Sequence, residues 1–169
     1  MEAEKKSNNK IKEVIKELIP YIVILVVVVL VRTFLVTPIV VSGDSMNPTL
    51  NGGELMILNK RGTIKKGKIV VAKYKNEEII KRVIAMPGDS ISCEDGKVYV
   101  NDHLVEEEFI KGTTPDFDRV VLGDDEYYIM GDNRANSLDS TELGPFKKNN
   151  IKGTTRFVLF PFNRIGKVS

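Results

Sequence analysis

The chain has 169 residues, a formal net charge of +2 at pH 7, one cysteine and one histidine, which leaves room for one membrane segment and one domain with its own core. A lone Cys93 excludes an internal disulfide, and one Cys with one His excludes a Cys/His zinc site. Lysines and acids are interspersed, and no basic stripe alternates with aromatics, which argues against a nucleic-acid partner.

Residues 1–17 are polar, with five lysines among four glutamates, while Ile11, Val14, Ile15 and Leu18 recur at helical spacing. From Leu18 to Val31 every residue is apolar apart from Pro20 and the amphipathic Tyr21, and the run resumes at Phe34-Leu35-Val36. As a helix, residues 18–36 are long enough to cross about 30 Å of hydrocarbon. Arg32 can snorkel at the outer end. No small-x-small cleavage site follows, so the segment reads as a permanent single-pass anchor and not as a cleaved signal peptide. Lysines before it, against one arginine after it, place the N-terminus in the cytoplasm. Residues 37–169 then form an extracytoplasmic domain carrying 19 basic and 19 acidic residues.

Beyond the anchor the texture is β. Short apolar or β-branched runs at Glu54–Leu58, Lys68–Tyr74, Glu77–Met86, Tyr127–Met130 and Thr154–Pro161 predict strands. Asp95-Gly96 and Asn101-Asp102 are turn dipeptides, predicting a meander over Ile91–Val105. Residues 106–126, acidic with Gly, Thr and Pro, read as a surface excursion, and Gly131–Ser140 as a polar loop. No segment after the anchor keeps a 3.6-residue period, so the soluble part is predicted to be one mainly β domain. His103 falls at a hairpin tip and reads as solvated, leaving no histidine for a Ser-His-Asp triad.

Two stretches carry the chemistry. Ser42-Gly43-Asp44-Ser45-Met46-Asn47-Pro48-Thr49-Leu50 follows the anchor. Gly43 permits backbone angles closed to other residues, and Pro48 pushes Asn47 away from helix, so Ser45 is expected on a constrained corner that presents its hydroxyl and N–H. The same residue types also make an ordinary loop. Ile79-Ile80-Lys81-Arg82-Val83-Ile84-Ala85 puts adjacent cations in a strand that is apolar on both faces. Burial depresses an ammonium pKa from ~10.4 and makes the amine a usable base. A snorkelling edge lysine is the ordinary alternative.

Ser45-Met46-x-Pro48-Thr49-Leu50 after an anchor, Lys81-Arg82-Val83-Ile84-x-x-Pro87-Gly88-Asp89, and Gly131-Asp132-Asn133-Arg134-x-Asn136-Ser137-x-Asp139-Ser140 resemble the ordered boxes of bacterial type I signal peptidases, in their short, single-anchor, Gram-positive-like form. The resemblance implies an antiparallel β catalytic domain, a Ser45 nucleophile, a Lys81 general base with no metal or cofactor required, and secretory preproteins as substrates, cut after small residues at −3 and −1. It also implies that the Ser45 N–H holds the oxyanion, that Ser137 orients the Lys81 amine, that Asp132 partners Arg82, and that Asp139 braces the last loop. Met46 is implied to meet membrane or substrate, although a methionine there is equally core filler. One position lacks a group that the family often has, as in many Gram-positive-type members, and two depart from the family pattern. Gly43 lacks the hydroxyl that often assists the oxyanion, so a substitute donor is expected. Ala135 replaces a common aspartate. Thr141 replaces an arginine, so Asp139 is expected to lean on a hydroxyl or backbone N–H. The competing readings are a self-cleaving repressor-type protease, against which the anchor argues, and an anchored β domain that binds peptides without cutting them.

Overall fold

The computed structural model describes residues 2–168; Met1 and Ser169, the outer limits of the expected tail and catalytic domain, lie outside them. The chain divides into two compact units, residues 1–36 and 37–169. The first is helix α1, Glu2–Phe34. Its Ile15–Phe34 stretch, 20 residues of mean hydropathy 2.3, is long and apolar enough to cross a membrane. The polar leader and the apolar run are thus one continuous helix.

The second unit, with Val36 of the first, is built from β1 (Val36–Val40), β2 (Leu55–Asn59), β3 (Ile69–Tyr74), β4 (Glu77–Ala85), β5 (Ser90–Glu94), β6 (Lys97–Val100), β7 (His103–Leu104), β8 (Phe117–Val121), β9 (Glu126–Met130), β10 (Phe146–Lys147), β11 (Ile151–Phe160) and β12 (Gly166–Lys167), with a short α-helix, α2 (Ser140–Leu143), and 3-10 turns at Lys148–Asn150 and Phe162–Arg164. One sheet runs β1-β2-β11-β3-β4-β9-β10, with β12 on β11; a smaller sheet runs β7-β6-β5-β8. The fold is mainly antiparallel β, as expected.

Local chemistry explains the small sheet. Asp95 and Gly96 have φ of 51° and 72°, and Asn101 and Asp102 have φ of 52° and 64°. Positive φ at both central residues is the type I′ geometry, whose twist matches that of the strands it joins. The resulting register sets Glu94 opposite Lys97 and Val100 opposite His103. Apolar residues of β4, β5, β6 and β9, among them Ile84, Ile91, Val98 and Met130, form the core under this sheet.

Two expectations are corrected. Residues 106–126 are not only a surface excursion: Phe117–Val121 is β8, paired with β5. Phe117 stacks on Tyr128 at 5.4 Å between ring centroids, and Leu122 and Thr114 are buried. Acidic residues at the solvent-facing positions of this stretch hid its apolar ones. The last long strand begins at Ile151, not Thr154. Gly153 interrupts the pattern at a bulge, where a Cβ would lie 2.3 Å from the Asn59 carbonyl oxygen.

Candidate active site

The loop carrying Ser45 is closed at its base by Val41 N–H to Glu54 O (2.8 Å) and Gly53 N–H to Val41 O (2.9 Å). Gly43 has φ +73°, a conformation that side chains rarely adopt. Asn47 N–H bonds Asp44 O at 3.1 Å and Leu50 N–H bonds Met46 O at 2.8 Å, so the corner is a tight turn with Ser45 near its start. Met46 and Leu50 are fully buried with Met56, Ile69 and Val158. Met46 is therefore core, which corrects the implied contact with membrane or substrate: it fixes the loop and leaves Ser45 facing outward.

Lys81 lies in the part of β4 where every residue from Lys81 to Ala85 is buried. Its side chain is 3% exposed, and Nζ donates to Ser45 Oγ at 2.6 Å. Burial holds the amine pKa below its ordinary 10.5, against the opposing pull of the Asp139 and Asp132 charges. An amine so placed reaches its neutral form at a lower pH than a surface lysine does, within one hydrogen bond of a hydroxyl.

The neighbouring Arg82 points to the other face and ties the three motifs together. Nε and Nη2 bond Asp132 Oδ1 and Oδ2 at 2.8 and 2.7 Å, Nη1 bonds Gly67 O at 2.7 Å, and Nη2 reaches Thr49 Oγ1 at 3.3 Å. The guanidinium also lies over the Phe109 ring, 3.9 Å from its centroid. Both side chains of the pair are 1% exposed. Such a bidentate, fully desolvated pair fixes geometry more than it adds net stability.

The segment after β9 completes the site. The β4–β9 pairing sets Arg82 opposite Met130, which delivers Gly131, Asp132 and Asn133 beside the Ser45 loop. Asn133 bridges to that loop: its N–H bonds Ser45 O at 3.0 Å and its Nδ2 bonds Asp44 O at 3.1 Å. A Cβ on Gly131 would lie 2.1 Å from Ser137 Oγ and 2.5 Å from Ser45 O. Gly131→Ala should therefore cost ~1–3 kcal/mol by overpacking, read as a lower urea midpoint; an unchanged midpoint would refute so close an approach.

Asp139 gathers four donors. Gly131 N–H (2.8 Å) and Ser137 Oγ–H (2.5 Å) bond Oδ2, while Thr141 N–H (3.1 Å) and Thr141 Oγ–H (2.9 Å) bond Oδ1. The carboxylate also caps α2. Thr141, in place of an arginine, supplies a hydroxyl and an N–H to the carboxylate. Ser137 donates to Asp139, and among the described residues no hydrogen bond joins it to Lys81. Ala135 packs beside Gly112, where a Cβ on the glycine would stand 3.2 Å from its own. Arg134 is anchored in a buried ion pair with Glu107, so part of the acidic segment braces this loop. Sequence alone gives Asn133 and Gly131 no role in the site, although both stand inside the third motif.

A cleft of about 160 Å³ opens on Ser45 and Lys81, walled by Ile39, Val40, Ile79 and Ile80. β1, which supplies two of these walls, is an edge strand. A strand at the edge of a sheet can take an extended peptide as a further strand. Among the described residues no cluster of His, Cys, Asp and Glu could hold a metal ion.

The family model described as "Signal peptidase, peptidase S26" matches residues 11–160. A signal peptidase I of Bacillus amyloliquefaciens is 39% identical over 183 residues, covering 99% of each chain. Signal peptidase I S of Bacillus subtilis is 37% identical over 156 residues, covering 82% of this chain and 85% of its own. A crystal structure of a signal peptidase I from Enterococcus faecalis shares the fold, with a TM-score of 0.51 and 21% identity over 54% of this chain and 96% of that one. Matched along nearly its whole length, the chain belongs to the signal peptidase family, peptidase S26, and is an enzyme of that family.

Proposed function

We propose that the protein is a membrane-bound serine endopeptidase that removes signal peptides from secretory preproteins, with Ser45 as nucleophile and Lys81 as general base. The observation that carries the reading is the 2.6 Å contact between Ser45 Oγ and the buried Lys81 amine. In the neutral form, Lys81 Nζ accepts the Ser45 proton as Oγ attacks the scissile carbonyl carbon. The ammonium then protonates the leaving amine, an acyl-enzyme remains, and a water deprotonated by the same amine releases the signal peptide. The developing oxyanion is met by the Ser45 N–H, which has no acceptor among the described residues. Gly43 supplies no hydroxyl. A missing second donor would cost ~2.7–4 kcal/mol of barrier; Ser42 lines the cleft and is the nearest hydroxyl in sequence. Asp132, Arg82 and Asp139 brace the pair, and Ser137 acts only through its bond to Asp139.

The cleft's small volume supports cleavage after small residues at −3 and −1. The exposed apolar side chains of α1 support its insertion in lipid, with residues 1–17 as a cytoplasmic tail, the rest of α1 to Phe34 as the span, two residues short of the 36 expected because Val36 opens β1, and 37–169 as the extracytoplasmic catalytic domain. Confinement to the bilayer would raise the effective concentration of a membrane-held preprotein. In detergent, the wild-type chain should cut an Ala-x-Ala peptide and spare one with bulky residues at those two places. Ser45→Ala should leave the circular dichroism unchanged and reduce turnover to background. A Ser45→Ala protein that still cleaves would overturn the mechanism, and equal cleavage of the two peptides would overturn the specificity.

A further inference from the structure

The balanced charge of residues 37–169 conceals a strong separation. Residues 55–76 hold seven lysines and arginines and no acid, and residues 143–169 hold six and no acid. These distant segments are hydrogen-bonded neighbours, because β11 lies between β2 and β3 along its first half and between β2 and β12 along its second. By contrast, residues 89–126, which include the small sheet, contain twelve acids and three cations. Folding therefore gathers positive charge on one part of the large sheet.

That charge converges on a groove of about 390 Å³ lined by Lys66, Lys68, Arg156 and Lys167 over an apolar floor that includes Ile69 and Val168. Lys66 is paired with Asp89 at 2.9 Å. Among the described residues Lys68, Arg156 and Lys167 have no carboxylate partner, and no acid lines the groove. The groove is distinct from the Ser45 cleft, with which it shares no lining residue.

We propose that this groove binds the phosphate-bearing headgroup of an anionic phospholipid, the cations holding the phosphate and the apolar floor taking the adjoining glycerol and first methylenes. A cluster of unneutralised cations attracts a phosphate in a way that a neutral peptide or a zwitterionic surface cannot match. The choice of lipid as the source of phosphate rests on reading α1 as a membrane anchor; the anion-binding geometry does not. The site would bind the catalytic domain to anionic regions of the bilayer, independently of the chemistry at Ser45.

The test uses the full chain in neutral detergent micelles doped with photoactivatable phosphatidylglycerol or phosphatidylcholine. Phosphatidylglycerol should label peptides containing Lys66–Lys68, Arg156 and Lys167 in preference to phosphatidylcholine, and labelling should fall as salt rises. The triple variant Lys68→Gln, Arg156→Gln, Lys167→Gln should lower labelling by roughly a hundredfold, at about fivefold per cation near an anionic surface; Lys97→Gln, in the acidic part, should not. Excess glycerol phosphate should compete only weakly, because it lacks the apolar portion. Equal labelling by the two lipids, unchanged labelling in the triple variant, or complete displacement by glycerol phosphate at the lipid's own concentration would each overturn the proposal. Cleavage of the Ala-x-Ala peptide in lipid-free micelles should be unaltered in the triple variant, so loss of lipid labelling is separable from failure of the protease reading.

Discussion

Lys81→Met should reduce preprotein cleavage by roughly four orders of magnitude or more, the scale seen when a nucleophile–base unit loses one member, while making the protein more stable at neutral pH. Both effects have one origin. Burial holds the folded-state amine below its ordinary pKa of 10.5, so between the lowered value and the ordinary one the unfolded chain binds more protons than the folded chain. Stability of the wild type then rises with pH across that window, and below it the full cost of burying a charge is present. Methionine, similar in length and uncharged, removes the cost. Its advantage should be greatest at low pH and should shrink as pH rises through the window. Chemical unfolding of both proteins over a pH series checks the sign; a Lys81→Met protein less stable than wild type at neutral pH would show that the ammonium is well solvated or well paired. Lys81→Arg should also be inactive, because a guanidinium does not lose its proton. The kcat/KM of the wild type should rise with pH along a single limb set by Lys81, with its midpoint below that of a free lysine.

Asp132→Ala is expected to destabilise the domain by about 3–5 kcal/mol, because it strands the Arg82 guanidinium in a place that is 1% exposed. The functional loss should exceed what stability alone explains. Arg82 adjoins Lys81 in β4 and bonds Thr49 in the Ser45 loop, so a shifted guanidinium moves the Lys81 amine and the Ser45 hydroxyl together, and a displacement of about 1 Å can cost ~100-fold in rate. Cleavage measured well below the variant's unfolding midpoint separates the two contributions. Full activity there would mean that the pair only stabilises. Replacing both partners, Arg82→Met with Asp132→Leu, should recover stability without recovering activity, since an apolar pair fills the space but makes no bond to Thr49 or Gly67.

Much of the site was legible because its signals are local. Gly43 and Pro48 marked a forced corner, and the left-handed backbone at Gly43 is one that few other residues adopt. Lys81 stood out because an ammonium within Ile-Ile-Lys-Arg-Val-Ile-Ala has few places to reach water. Asp95-Gly96 and Asn101-Asp102 fixed two hairpins through their own φ preferences. Asn133, by contrast, carries no local signal that sets it apart from an ordinary loop asparagine. Its role comes from contacts with Ser45 and Asp44, and its amide bonds a carbonyl 89 positions earlier. β8 was obscured by its acidic surroundings, since its apolar residues gain their partners only when Phe117 meets Tyr128.

The order of hydropathy along the chain dictated an apolar helix followed by a β domain, and local residue chemistry named a hydroxyl and an amine suited to proton transfer. Bringing them to 2.6 Å across 36 positions, turning Ser137 toward Asp139, and setting two acid-free segments side by side depended on strand register and sheet order. Propensity and hydropathy act over a few residues, whereas these contacts arise from the packing of the whole sheet, where a shift of one residue would send each side chain to the opposite face.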